Sequence, residues 1–587
     1  MDTPPEGKLA PVTLQHLEKA DSNDPQHRNL TGEDADDLHG YWASPRLVGS
    51  LFGAFLLANS LYIGVIIPTN VVSIINAELG PTANAYLITF ISQLFTGVLH
   101  LFFARISDVV GRRYFLITGQ LFGVVGSIIS ARAQSVNILI AGSAFVGVGG
   151  AAGLLYPVII HELIPNRHRP WGHAAVTLGV LPSLGFGSAI ARSMVAHTAG
   201  GWRNIYWLNV AVSGFSAVLF LACYFPPDFH MINSSLTRWQ EFKSLDYGGL
   251  ALYFGGLISL LLGFTWAQGT YPWRSAHVIA PLVVGLITLV AFAIYEVYMP
   301  VKQPLLPIRL FKIRNITACI FIGSTMQMVW LASNVFWPLE ISALFTTDEV
   351  TIGLLSCTTG IALVAGELIF APLFRYAGFL KWQLVVACSM TAVFTASMAA
   401  VTYKTEQMAI AFTVLAGLAV GWIELVTIVI VGLVAPPNDI GVAQGFFGAT
   451  RQVFGVIAVS IYLAVYSNDL SQGLPRAITT AAETAGLPAD SIPDLLIAVG
   501  NGTATALEAV PGMNNIVLGA LALATKQAYA HALKIVYLAT LGFTGIGFIA
   551  AFFIVDVDEF FTSYVNKTIH RPTGQRKEAT EASVESG

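Results

Sequence analysis

Four charges stand inside long apolar runs of this sequence: Arg192, Glu367, Glu424 and Arg451. A charge near the centre of a bilayer costs roughly 2.5–3.5 kcal/mol on insertion scales, so it is retained where it meets a partner, faces a water-filled cavity or handles protons. Glutamate suits the last role because its carboxyl exchanges a proton, whereas arginine stays cationic. Glu424 and Arg451 flank a short turn, Ala435 to Ile440; Glu424 lies ten residues before Val434, and Arg451 ten residues after Gly441. On antiparallel helices rising 1.5 Å per residue, both sit about 15 Å from that turn, near the midplane. The placement predicts an ion pair in which the arginine favours the charged carboxylate and desolvation favours the neutral one, so that the glutamate can take a proton when the pair opens. Glu424 is therefore the leading candidate for proton coupling, Arg451 its partner and Glu367 the reserve. Arg192, close to the end of its span, reads as a snorkelling residue.

These charges stand out because the rest of the chain is apolar. Of 587 residues, 55% are hydrophobic and 11% charged, against about 25% charged in soluble domains. A window near 19 residues finds fourteen apolar spans, at about 47–68, 84–104, 114–132, 137–160, 172–194, 204–225, 247–266, 277–297, 316–337, 351–374, 382–402, 407–434, 441–466 and 532–554. Each is long enough to cross about 30 Å of hydrocarbon as a helix, and helices satisfy their own backbone in lipid. The expected fold is an all-α membrane protein with fourteen transmembrane helices, and the lipid bilayer is its first partner. Of the 30 Lys and Arg, 21 fall on the side that holds both termini and seven on the other. The positive-inside rule then makes both termini cytoplasmic, and the polar start, without a basic-apolar leader, predicts no signal peptide. The long connection 467–531 is expected outside, with the one outer glycosylation sequon, Asn501-Gly502-Thr503.

Composition also excludes several classes. A formal net charge of −4 offers no cationic surface for a nucleic-acid backbone. Cys223, Cys319, Cys357 and Cys388 all lie in apolar segments and give no disulfide framework. His161, His168 and His173 lack the i, i+4 pair of a helical zinc site, so no metal or other cofactor is expected. No phosphate-binding Gly-x-x-x-x-Gly-Lys-Ser/Thr loop is present, which excludes an ATP-driven pump, and no His box supports a multi-pass membrane enzyme.

After the second span, ARISDVVGRR (Ala104 to Arg113) has an echo after the tenth, APLFRYAGFL (Ala371 to Leu380); Ala104, Asp108 and Gly111 align with Ala371, Arg375 and Gly378. Copies eight helices apart fit a parallel six-helix repeat with two helices inserted between its halves. The chain then divides into a cytoplasmic tail at 1–45, an N-terminal six-helix half at 46–225, a linker with two extra helices at 226–298, a C-terminal six-helix half at 299–556 that includes the extracellular loop 467–531, and a cytoplasmic tail at 557–587. Asp108 can accept backbone N–H groups at a helix start, where the dipole favours an anion. Arg112 and Arg113 lie among cytoplasmic carboxylates, and such contacts are expected to latch the halves together.

ARISDVVGRR resembles the signature loop of the major facilitator superfamily, with Ala104 where glycine is usual. GGWRNIYWLN (Gly200 to Asn209), PLLPIRLFKIRN (Pro304 to Asn315) and ATRQVFG (Ala449 to Gly455) resemble its fourteen-helix drug:proton antiporter branch. HELIPNRHR (His161 to Arg169), the long outer connection and DVDEFFTSYVNKTIH (Asp556 to His570) are most similar to fungal trichothecene efflux pumps, whose overall plan fungal siderophore transporters share. The resemblance implies a major-facilitator fold and a monomeric secondary transporter that exports a small hydrophobic fungal metabolite or toxin in exchange for protons. Plasma membrane is the expected location, with a vacuolar or vesicle membrane as alternative; siderophore-iron import is the alternative activity. The resemblance also implies a bond between Arg112 and Glu162. Three departures bear on the mechanism. The acid usual in the first span is Asn59, the arginine of the fourth aligns with Ser143, and the glycine-rich antiporter pattern of the fifth is reduced to Leu181-Pro182-Ser183-Leu184-Gly185-Phe186-Gly187. Since Asn59 cannot titrate, proton coupling falls to Glu424. Trp330 and Trp422, with Tyr62 and Asn59, are the expected lining of the substrate cavity.

Overall fold

The computed structural model describes residues 44–561, apart from 81, 83, 84, 86, 227–242, 244, 268–270, 300–303, 437, 438, 502–509, 558 and 559. Among the described residues, fourteen helices are long and apolar enough to cross a membrane. They are α1 (Pro45–Thr69), α2 (Leu87–Ser107), α3 (Arg112–Ala131), α4 (Val136–Leu163), α5 (Asn166–His197), α6 (Arg203–Cys223), α7 (Tyr247–Trp266), α8 (Ala276–Tyr298), α9 (Arg314–Phe345), α10 (Glu349–Phe374), α11 (Leu380–Ala400), α12 (Glu406–Val434), α13 (Ile440–Thr484) and α14 (Asn515–Ala551).

Polar residues fix where several of them begin. Asp246 caps α7 by accepting from Gly249 N at 2.7 Å, Asp348 caps α10 from Thr351 N at 2.8 Å, and Asn514 caps α14 from Val517 N at 2.9 Å. Gly111 and Gly378, aligned in the sequence echo, both take left-handed backbone, with φ of 110° and 60°. Only glycine enters that region without a Cβ penalty. A left-handed glycine therefore precedes α3 in one half and α11 in the other, directly before the helix at Gly111 and one residue earlier at Gly378, where Phe379 also takes φ of 52°.

The largest difference from the apolar windows lies between the last two spans. α13 continues to Thr484 and α14 already begins at Asn515, with a further helix at Ile492–Asn501 between them. Hydropathy marks where a helix leaves the hydrocarbon, not where its hydrogen bonding stops. Most of 467–531 is thus helical and packs a small core of its own, with Ile478, Ala482, Leu487, Leu495, Val517 and Leu521 buried together. Asn501 ends the short helix; its side chain and the rest of its sequon lie outside the described residues.

Two seams join the halves, α2 against α13 and α5 against α10. The inserted α7 and α8 pack on each other, and α7 touches α2 and α13. α8 turns Val284, Ile287 and Val297 outward, as a helix facing lipid should. Wider π-helical turns interrupt α1 at Tyr62–Ile66, α5 at Leu181–Gly185 and α9 at Ile341–Phe345; such turns recur at functional sites.

Candidate functional site

Between the halves lies a cavity lined by Tyr62 of α1, Gln93 and His100 of α2, Tyr156 and Pro157 of α4, Gln327 and Trp330 of α9, Leu363 of α10, Glu424 and Ile428 of α12, and Gln444, Phe447, Arg451 and Gln452 of α13. Its charged centre is Glu424 and Arg451. Arg451 Nη2 donates to Glu424 Oε1 at 2.7 Å and to Gln327 Oε1 at 2.9 Å, and its guanidinium carbon sits 5.2 Å from the Phe447 ring centroid. The antiparallel run of α12 and α13 sets equal depth, and packing turns the two side chains toward each other. Both are largely buried, where an ion pair holds because each charge replaces lost water for the other. Arg451 Nε and Trp330 Nε1 have no hydrogen-bond partner among the described residues, leaving two donors at the wall of the cavity. The lining mixes aromatic faces with four glutamine amides, so it is more polar than an aromatic box.

The other residues singled out in the sequence occupy distinct places. Glu367 is buried on α10 and accepts from Thr177 Oγ1 of α5 at 2.5 Å, a bond across the seam between the halves. Asn59 is used within the N-terminal half: its Nδ2 donates to the Phe55 and Gly179 carbonyls at 3.0 and 3.4 Å, and its Oδ1 accepts from Ser183 at 2.7 Å. Trp422 does not border the central cavity. Its ring stacks on Phe370 with centroids 3.9 Å apart and its Nε1 donates to Gln383 at 3.2 Å, so it belongs to the packing of α10, α11 and α12. Tyr62 and Trp330 do border the cavity.

At the end of the molecule that holds the turn between α12 and α13, Arg112 Nη2 lies 3.1 Å from Glu162 Oε1. Both residues belong to the N-terminal half, so this pair does not itself span the seam. Among the described residues Arg113 pairs with no carboxylate: its Nη2 donates to Leu221 O at 2.6 Å and its guanidinium stacks 3.9 Å from the Phe225 ring. The side chain of Asp108 lies outside the described residues. The contact between halves here is instead made by Arg169, which donates to Gly432 O at 2.9 Å and His161 O at 2.6 Å. Gln444 adds to it, bonding Ile428 O at 2.8 Å and standing 3.2 Å from His161 Nε2, itself 3.1 Å from His173 Nε2. His161 and His173 thus meet each other; no group of three metal-ligating side chains occurs among the described residues.

Sequence reasoning missed three pairs. Arg192 does not simply snorkel; it forms an ion pair with Glu349 at the start of α10, closing the α5–α10 seam at the opposite end. Glu78, on the short helix Val72–Leu79, bonds Arg203 Nη1 at 2.5 Å and Trp202 Nε1 at 2.8 Å; these bonds, that of Arg203 first, hold its carboxyl below the ordinary value of 4.5. Glu340 accepts from Tyr537 Oη at 2.5 Å. It escaped notice because the apolar window closes at 337 while α9 continues to Phe345.

Comparison with known proteins agrees with this architecture. The chain is 27% identical over 554 residues to the trichothecene efflux pump TRI12 of Fusarium sporotrichioides, covering 93% of this chain and 92% of that protein. It is 30% identical over 476 residues to the MFS-type transporter prx5 of Penicillium rubens, covering 80% and 86%. Among solved structures, the human organic anion transporter MFSD10 (TETRAN) superposes with a TM-score of 0.51 at 11% identity, over 85% of this chain and 100% of that one; at such identity the likeness concerns the fold. Residues 15–587 match the family described as fungal trichothecene efflux pump (TRI12), and the chain belongs to that family of major-facilitator membrane transporters.

Proposed function

We propose that this protein exports a small hydrophobic fungal metabolite or toxin across the plasma membrane, with both termini in the cytosol, in exchange for protons carried by Glu424. The observation that carries the reading is the bond between Glu424 and Arg451 in the wall of a cavity between two six-helix halves. A carboxylate with one cationic partner and a cavity beside it can be neutralised by a proton, and the arginine it releases keeps its bond to Gln327 and gains a donor for cargo. Proton entry thus changes what the cavity offers. Moving one charge through 100 mV is worth about 2.3 kcal/mol, or roughly fifty-fold accumulation per proton. The relatives named as trichothecene efflux pumps support a fungal toxin as cargo.

Alternating access would pivot on the two seams. Arg169 and Gln444 close the cytosolic end, Arg192 and Glu349 the outer end, and Thr177 and Glu367 tie the middle. The Arg112–Glu162 pair acts through α4: it stiffens the helix end that carries His161 into the seam. The test is transport of a trichothecene in proteoliposomes under an imposed proton gradient. Wild-type protein accumulates the toxin and Glu424→Gln, with unchanged folding, does not. Gradient-driven accumulation by Glu424→Gln at the wild-type rate would overturn the assignment.

A further inference from the structure

Glu340 of α9 and Tyr537 of α14 form a second buried polar pair, which the central pair does not use. The residues are 1% and 6% exposed, and Tyr537 Oη donates to Glu340 Oε2 at 2.5 Å. Glu340 lies thirteen residues beyond Gln327 on the same helix, about 20 Å further toward the outer face. Among the described residues no basic group pairs with this carboxylate. Lys526, on the same helix as Tyr537, donates to Leu344 O at 2.9 Å; at the outer start of α10, Glu349 is bound to Arg192 and Asp348 caps its own helix. The apolar cluster here adds Tyr462 and Tyr466 of α13. A glutamine or leucine would join α9 to α14 without placing an acid in hydrocarbon, where ionisable residues mark proton relays.

Tyr537 also borders a second cavity, with Ser333, Trp337, Thr359, Thr395 and Trp330 in its wall. Trp330 belongs to the wall of the central cavity as well, so the two spaces adjoin at one side chain. Thr395 Oγ1 and Trp330 Nε1, each on a residue less than one-tenth exposed, have no hydrogen-bond partner among the described residues. The wall is largely apolar, but these two atoms stand in it with the hydroxyls of Ser333, Thr359, Thr413 and Tyr537, and such a set of polar groups is what a buried ordered water satisfies.

We propose that Glu340 is the outer proton-loading residue, passing protons through Tyr537 and water in this second cavity to Glu424; the proposal rests on the reading of Glu424 as carrier. The proton adds to a Glu340 carboxylate oxygen, and the resulting O–H donates to Tyr537 Oη. Tyr537 turns its own proton toward a cavity water and gives it up as it receives that of Glu340, so the phenol stays neutral, the carboxylate is restored and the proton travels on as hydronium to Glu424.

The experiment compares two activities in proteoliposomes with a trichothecene as probe: gradient-driven accumulation, which needs proton loading, and exchange of labelled for unlabelled toxin, which does not. Glu340→Gln and Tyr537→Phe are each expected to lose accumulation and keep exchange. Loss of both activities together assigns the pair to packing and overturns the proposal, as does retention of both. Should Glu340→Gln not fold, Tyr537→Phe decides. Accumulation lost in Glu424→Gln but kept in Glu340→Gln overturns the outer site alone; the reverse pattern overturns the Glu424 reading and with it the relay to Glu424. Independently of cargo, infrared spectra on acidification should show a carboxylic-acid band component that Glu340→Gln lacks, and an unchanged band would equally overturn the proposal.

Discussion

Asn59 and Glu424 stand in contrasting polar surroundings, one a satisfied amide and the other half of an ion pair. The Asn59 amide matches its surroundings at both ends, giving N–H to two carbonyls and accepting a hydroxyl. Asn59→Asp would point a carboxylate oxygen at those carbonyls and lose both donated bonds, so it should destabilise the protein by about 1–3 kcal/mol, read as a lower Tm in detergent, without creating a second coupling site. Arg451 makes the reverse case. Glu424→Ala strands a buried guanidinium and should cost about 3–5 kcal/mol, whereas Glu424→Ala with Arg451→Leu removes both charges and should recover much of that loss. A double variant no more stable than the single one would show that the stranded guanidinium is not the source of the loss and would end the pairing claim.

At the scale of elements, the seams carry the sharpest expectations. Gly360 of α10 faces the Leu184 carbonyl of α5 so closely that a Cβ would overlap a backbone atom, which cannot rotate away. Gly360→Ala should therefore prop the α5–α10 seam open and slow transport while sparing expression, measurable as raised reactivity of a cysteine placed at Ser188. Arg112→Ala removes the partner of Glu162 at the end of α4, and we expect impaired transport with surface expression retained. The Glu78–Arg203 clasp joins the helix after α1 to the start of α6; Glu78 itself lies outside the spans, and Arg203 is the first residue of α6. Its lowered carboxyl pKa means that its stabilisation is present above the ordinary value of 4.5 and is lost as pH falls through the lower folded value. The Tm difference between wild type and Glu78→Gln should accordingly shrink toward zero as the medium is acidified.

For the whole molecule, orientation is the expectation on which every inside and outside assignment depends. The 21 to 7 excess of basic residues on the side of the tails predicts that a C-terminal tag is reached by antibody only after permeabilisation; staining of intact cells would invert the scheme. The sequence by itself determined the helix count, because each span must meet the same hydrocarbon thickness, and the equal depth of Glu424 and Arg451, because a tight turn fixes register on both sides. The echo that aligns Gly111 with Gly378 was also legible, although the left-handed backbone at both glycines, and at Phe379 beside the second, appears only in the structure. Which way side chains face was decided by tertiary packing. Helical spacing places Trp422 and Trp330 on comparable apolar helices, yet only the neighbours of α12 and α9 turn one into a packed layer with Phe370 and the other toward the cavity. The seam between Arg169, His161, Gln444 and Gly432 joins residues up to 283 positions apart, and no local pattern encodes a contact formed only when two separately built halves close on each other.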